Sequence, residues 1–568
     1  MHRLTGPQGR PDADRAHLVM PATTDSPPLP RMATREILLR KRRGWFFGLT
    51  GDQFVKYVFQ GNATISIIVL GLITFTIFRD AVGFIPMNHA NLAVYRLAGL
   101  EYVDLYRGQV TAHSTMSRYL ASLRTQQLDL LMKKEGLAPA AAMARLADFD
   151  AFANKFADTI NEQETLLGTM TDLATGVKER QKVAEDLTVA KQNLLAAMAG
   201  APPERAAELQ KEADAIKIET VDFQAEIKPL LALRPDIAAA NAGQIAAIQA
   251  LMVQAPKFSD AVLNRRMEKF QGFVQGYFKE VEAVTQKMAA WDQAKPISWL
   301  EALNAFAFGR EWVTASFWQD WYGIIPLLSG SLLIAFIAMM IALPLGVAAA
   351  IYVNQVARPW ELKVIKPYIE FISAIPSVVL GFFGIAMLGE TLRRFSQNPA
   401  FDWVPGFPMA ERLNATTAAC LLALMAIPTI FSLAEDAINN VPRSFKEASF
   451  ALGATRLQTI IHITVPAALS GIVAAILLGF GRVVGETMVV LLCAGNRIQT
   501  PDLSAGLGVI FQPVHTMTGI IAQEMGEVVR NSIHYRALFM VGVVLFLISM
   551  LINWLAQKIV RRYRISIG

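Results

Sequence analysis

The sequence predicts an all-α, polytopic membrane protein with six transmembrane helices and a large helical domain between the first and the second. Three observations predict it. Of the 568 residues, 53% are hydrophobic and only 18% are charged, below the ~25% usual in soluble domains. The apolar residues gather into charge-free windows as long as the ~20 residues needed to cross a bilayer. Residues 79–323 interrupt those windows, far exceed an ordinary loop and carry helical periodicity.

The first span runs from Tyr57 to Phe78, with no charge between Lys56 and Arg79. Arg40, Lys41, Arg42 and Arg43 precede it, which places residues 1–56 in the cytoplasm as a basic tail. Its first 35 residues are rich in Pro, Arg, Asp and Ser and lack the apolar core of a signal peptide. They are expected to be disordered, and a start codon set too far upstream would explain them. The other five spans lie in residues 324–568. The second lies in the uncharged run between Asp320 and Arg358, about Ile324 to Val353. The third is Lys366 to Leu388, with Pro376 inside it, and the fourth is Leu413 to Leu433. The fifth is Pro466 to Ala494 and alone carries charge at its centre. The sixth, Ala537 to Gln557, ends in Lys558, Arg561, Arg562 and Arg564.

Six spans with an inside N-terminus put the C-terminus inside, in agreement with that basic tail. Arg358, Lys363 and Lys366 fall in a loop the same topology places inside. The same topology puts residues 79–323 on the outside. Charge is distributed accordingly. Residues 85–320 hold 25 Lys/Arg and 29 Asp/Glu, so the basic excess of the chain lies on its membrane part and tails. This pattern suits the positive-inside rule and argues against nucleic-acid binding.

Within the insert, Leu166, Met170, Leu173, Val177 and Leu187 recur at helical steps. Gly200, Pro202 and Pro203 break the run, and a second helix is expected from Glu204 to Leu231, giving an antiparallel hairpin. Further helices are expected near 112–135, 138–160 and 258–290. No chemical motif occurs in the insert, so a spacer or docking surface and a ligand-sensing domain are both open readings. Cys420 and Cys493 lie in apolar stretches, which gives neither a disulfide framework nor metal-ligand spacing. No cofactor or metal is expected. No phosphate-binding Gly-x-x-x-x-Gly-Lys-Ser/Thr loop is present, so the chain is not expected to hydrolyse ATP itself.

Two segments carry function. On the cytoplasmic side, between spans four and five, the chain reads Glu447-Ala448-Ser449, three residues, Gly453, nine residues, then Ile463-Thr464-Val465-Pro466. A short helix with small residues there can seat in a groove of a partner, and Gly453 permits a tight turn. In span five, Gly479-Phe480-Gly481-Arg482-Val483-Val484-Gly485-Glu486-Thr487-Met488 puts Arg482 sixteen residues after Pro466. A charge in mid-bilayer costs on the order of 2.5–3.5 kcal/mol and must face a cavity or a partner. Arg482 and Glu486 are four apart and are expected to share a helix face. Gly481 and Gly485 are expected to let a neighbouring helix approach. Two roles follow for Arg482. It is either half of a buried pair that fixes packing, or a guanidinium lining a path for an oxyanion, with Glu486 limiting how tightly the anion is held. Ser373 and Ser377 beside Pro376 either satisfy freed backbone groups or donate to the anion. Glu370 and His462 read as interfacial residues.

The loop at 447–466 resembles the EAA signature of ATP-binding-cassette importer permeases, with Ser449 for its second Ala and Val465 for its Leu. Gly481 to Met488, with Gly495-Asn496, resembles the phosphate-transport permeases of the PstC subtype. So do Pro376-Ser377-Val378-Val379-Leu380-Gly381, Glu435-Asp436-Ala437-Ile438 and Met517-Thr518-Gly519-Ile520-Ile521-Ala522. The resemblance covers about 324–568 and implies a type I importer permease fold. It implies a permease subunit of a bacterial inner membrane that conducts inorganic phosphate. Glu447, Ala448, Ser449 and Gly453 would couple to a dimer of ATPase subunits. Arg482, Glu486, Thr487 and Ser377 would line the substrate path. The implied partners are a PstA-like permease, the ATPases and an extracytoplasmic phosphate-binding protein, all around a chain embedded in lipid. A permease for sulfate, molybdate or phosphonate, and a transporter-linked phosphate sensor, are the alternatives. The insert is the departure from the family.

Overall fold

The computed structural model describes residues 51–563 except 134, 259, 315, 317 and 402. The basic run at 40–43, the rest of 1–50 and Arg564 therefore lie outside the described residues. The chain divides into two compact units, Met1–Phe75 and Thr76–Gly568.

The architecture is helical, with one two-residue ribbon among the described residues. Helix α1 (Gly51–Val82) contains the first span, and α2 (Phe84–Leu97) follows it directly. The insert proper comprises α3 (Leu100–Lys133), α4 (Pro139–Arg145), α5 (Ala147–Asp158), α6 (Asn161–Met198) and α7 (Pro203–Ala215). It continues through α8 (Phe223–Glu226), α9 (Lys228–Ala232), α10 (Arg234–Val253), α11 (Ala261–Ala290) and α12 (Trp299–Ala307). Helices α6 and α7 form the hairpin about Gly200–Pro202. The expected single helix from Glu204 to Leu231 is corrected. It stops at Ala215, the chain is non-helical to Asp222, and two short helices follow. Beta-branched residues crowd that gap (Ile216, Ile218, Thr220, Val221) and resist a helix. Asp222 then restarts one by accepting from the amides of Gln224 and Ala225.

Aromatic and aliphatic stripes of α3, α5, α6, α10 and α11 build two cores. One holds Tyr102, Tyr106, Met170 and Ile237, the other Leu120, Phe152, Phe156 and Phe270. Residues Phe223–Val253 are long and apolar enough to cross a membrane. Yet Asn241 and Gln244 of α10 are buried and bonded to polar partners. Gln109 donates to Asn241 at 2.6 Å, Asn241 to Thr285 at 3.2 Å and Tyr277 to Gln244 at 2.9 Å. Those partners belong to α3 and α11, helices too charged to enter a bilayer. Helix α10 is therefore a bundle helix. Of its alanines Ala240 is buried, and most of the others face outward.

His113 is enclosed in the second core. It stacks on Phe156 and lies 3.0 Å from Thr159 Oγ1, with Tyr277 edge-on. Burial pushes its imidazole down from 6.5 to about 4. The unfolded chain therefore binds the proton first as pH falls. The stabilisation is complete above the ordinary histidine range and is lost as pH falls through about 4, up to roughly 3 kcal/mol in all. His113→Phe should flatten the fall in unfolding temperature between neutral pH and about pH 5, measured by calorimetry on the detergent-solubilised protein. An unchanged fall would assign the acid sensitivity to other groups.

A ribbon, β1 (Trp312–Val313) against β2 (Trp321–Tyr322), leads into α13 (Ile325–Gln355), the second span. Asp104 of α3 holds this segment. It accepts from Tyr95 at 2.6 Å, from Arg107 at 2.6 Å and from Trp318 Nε1 at 3.0 Å. The fourth span is α17 (Ala415–Asn439), the fifth rises through Val465–Val484, and the sixth is Ile533–Tyr563. The third span is corrected. Instead of one helix over 366–388 it is α14 (Pro359–Ala374) followed, after a 90° bend, by helix over Ser377–Ser396. Pro376 has no amide to continue the ladder, and Ile375 before it is extended (ψ 124°). The first piece of that second arm is α15 (Ser377–Phe383), and α16 (Gly389–Ser396) ends it.

Candidate functional site

The loop between the fourth and fifth spans begins at Pro442, which starts α18 (Arg443–Ala451). Gly453 ends the turn at φ +83°, in the left-handed region that costs other residues about 1–2 kcal/mol. No atom would meet a Cβ there, so the need for glycine is one of conformation alone. Thr455 and Gln458 then cap α19 (Arg456–Thr459) reciprocally. The Ser449 hydroxyl faces inward and bonds to Thr459 at 2.9 Å, both residues buried. Ser449 therefore cross-links the two sides of the loop. Glu447 and Ala448 face outward. Exposed apolar side chains surround them: Phe445, Phe450, Leu457 and Leu452, the last 89% exposed. Apolar side chains thus lie exposed along this short loop element.

Behind the loop, Lys366 pairs with Glu435 at 2.5 Å, and Glu435 is almost fully buried. This contact gives the motif at 435–438 a task. It ties the first arm of the broken third span to the end of the fourth. Asn354 donates to Asn439 and Tyr352 to Glu361 nearby.

Helix α20 (Val465–Val484) ends two residues after Arg482, and α21 (Met488–Cys493) starts after a break at Gly485–Thr487. The continuous fifth span expected over Pro466–Ala494 is corrected accordingly. So is the Arg482–Glu486 pairing. With the helix broken between them, no ion pair joins the two among the described residues. Arg482 Nη1 instead donates to Thr429 Oγ1 at 2.8 Å. Thr429 is the fifteenth residue of the 25-residue α17 and follows Pro428. The guanidinium therefore lies near the middle of the fourth span, and its residue is exposed. Glu486 caps α21, accepting from the Met488 amide at 3.3 Å. Thr487 precedes that helix as its cap without a side-chain bond.

The close helix approach attributed to Gly481 and Gly485 is also corrected. It belongs to Gly471, where a Cβ would fall 2.3 Å from that of Ala437, and to Gly479, 2.8 Å from Ile430. These put the fourth and fifth spans in contact beside Arg482.

The quoted motifs meet here. Helix α15 packs on α21, since Cys493 Sγ donates to the Gly381 carbonyl at 3.3 Å and Gly381 leaves room for Leu492. Ser377 stands at the start of α15, half-buried. From the other side α22 (Met517–Glu524) closes in, with Thr518 Oγ1 donating to the Glu486 carbonyl at 2.8 Å. Thr429 escaped the sequence reading. A threonine after a proline in an apolar span is an ordinary feature, and only the tertiary contact distinguishes it.

Residues 342–565 match the family described as binding-protein-dependent transport system inner membrane component. The probable ABC transporter permease protein YqgH of Bacillus subtilis is 35% identical over 42% of this chain and 72% of its own length. The phosphate transport system permease protein PstC of Haemophilus influenzae is 30% identical over 46% of this chain and 84% of its own. The probable PstC of Methanocaldococcus jannaschii is 33% identical over 43% and 78%. A chain of the inward-facing MetNI methionine ABC transporter, 21% identical, covers 42% of this chain and 94% of its own with a TM-score of 0.31. By these matches the chain belongs to the inner-membrane permease family of binding-protein-dependent ABC importers, in its PstC-type branch.

Proposed function

We propose that this chain forms the translocation path of an ATP-driven phosphate importer, together with a PstA-like second permease, an ATPase dimer and an external phosphate-binding protein. The observation that carries the reading is Arg482, an exposed guanidinium near mid-membrane that is held by a neutral hydroxyl. A carboxylate partner would neutralise it. Thr429 leaves its full charge for an oxyanion, and guanidinium geometry suits phosphate oxygens. Ser377 and Thr487, at the helix starts nearest the break, supply further donors along the path. Glu486 shapes the break itself, because its carboxylate caps the helix that follows.

Coupling runs through the loop. The ATPases grip Glu447, Ala448 and the apolar rim around them, while Ser449 and Gly453 keep the loop stiff. Closure of the ATPases then moves α18 with the base of the fifth span, and the break at Gly485–Thr487 lets the upper segment respond. The N- and C-termini are cytoplasmic in this reading and residues 79–323 are external.

Uptake in cells tests the substrate. A host lacking its own high-affinity phosphate permease, supplied with this chain and its partner subunits, should regain uptake of radiolabelled phosphate. Restored uptake of sulfate, molybdate or phosphonate, with phosphate uptake still absent, would replace phosphate by that oxyanion.

A further inference from the structure

We propose that α12 is a membrane-interface helix whose exposed face rests in the lipid headgroup region beside the entry of the second span. The helix buries only one side, through Ala302 and Phe306. Its other side presents Trp299, Leu300, Leu303 and Phe308, with Leu300 70% and Phe308 71% exposed. Leu300 and Leu303 are one helical turn apart and share a face.

Its position says what covers that face. The Ile324 amide donates to the Phe306 carbonyl at 2.9 Å, and the Ile325 amide to the Gly309 carbonyl at 3.2 Å. Gly309 and Gly323 touch backbone to backbone, since a Cβ on Gly309 would fall 2.7 Å from the Gly323 Cα. The C-terminal end of α12 is thus fastened to the first residues of a membrane span. Its other contacts are with α2, which continues the first span. Phe84 packs edge-on against Phe306, Asn88 donates to the Ala302 carbonyl, and His89 stacks on Trp299. Two turns into the second span an exposed apolar face suited to lipid begins, with Leu332, Phe336 and Met340.

Trp299, 58% exposed at the start of the helix, is a side chain of the kind that concentrates at membrane–water interfaces. Glu301, Asn304 and Arg310 supply a polar edge. Nine residues of helix are only about 13 Å long. Phe308 therefore lies deepest, and the Trp299 end reaches toward water.

The test uses the assembled transporter in lipid nanodiscs. Single cysteines at Leu300, Leu303 or Phe308, in a chain carrying Cys420→Ala and Cys493→Ala, receive a nitroxide. Collision with oxygen is compared with collision with a water-soluble nickel chelate. The reference is Val253→Cys, 88% exposed at the end of a bundle helix. The expected oxygen-to-nickel ratio is several-fold above the reference at Leu303→Cys and Phe308→Cys, and rises from 300 to 308. A ratio equal to the reference places the face in water and overturns the proposal. Low collision with both reagents means a protein covers it and overturns it equally. If the cysteine-free background fails to assemble, a photo-crosslinking residue at 303 decides the matter, with lipid adducts expected and protein adducts contradicting.

Discussion

Arg482→Gln should reduce phosphate uptake by roughly ten- to hundred-fold, the kinetic equivalent of losing one charge-assisted hydrogen bond of about 1.5–3 kcal/mol. Assembly should be unaffected, because the change removes a charge whose placement in a bilayer is itself unfavourable and whose bond within the chain goes to one hydroxyl. The measurement is phosphate uptake into proteoliposomes, with subunit stoichiometry checked on the purified complex. Thr429→Val gives the graded companion. It keeps the charge and removes the tether, so uptake should fall less than with Arg482→Gln, and Thr429→Ser should restore it. Wild-type uptake by Arg482→Gln would reduce Arg482 to a packing residue.

Glu447→Lys should separate ATP hydrolysis from transport. The residue faces outward from α18, so reversing its charge leaves the fold intact. Against the ATPase, a lost or reversed polar contact at a desolvated interface costs about 2–5 kcal/mol. The complex should therefore lose most of its ATPase subunits on purification, and stimulation of ATPase activity by the loaded binding protein should vanish. Normal retention and normal stimulation would mean the loop does not dock there.

How much of this was legible in the sequence depends on the range of the forces involved. Charge-free windows marked where the long apolar helices lie, because exclusion of charge from lipid acts on each residue separately. The turn at Gly453 was legible for a similar reason, since a left-handed residue is a local device, whereas the Thr455–Gln458 cap beside it went unread. The bend at Pro376 was half legible: the proline marked a disturbance, but only the packing of α15 on α21 sets a 90° turn. The break at Gly485–Thr487 was read wrongly. Four-residue spacing suggested a helix face shared by Arg482 and Glu486, whereas the Glu486 carbonyl accepts from Thr518 and its carboxylate from the Met488 amide, outside the helix that ends at Val484. Thr429 is 53 residues from Arg482 in sequence, beyond any local signal. In the insert, the stripes of the long helices were visible, while the gap at 216–222 and the polar seam through Asn241 and Gln244 depend on tertiary partners.

The most direct test of the whole account is transport by the reconstituted complex. The purified chain, a PstA-like permease, the ATPases and the loaded binding protein are placed in liposomes with ATP, and phosphate accumulation is followed with sulfate as competitor. The account predicts ATP-dependent accumulation that excess sulfate does not suppress and that Arg482→Gln lowers by roughly ten- to hundred-fold. Accumulation that proceeds without ATP, or that sulfate abolishes, would contradict it.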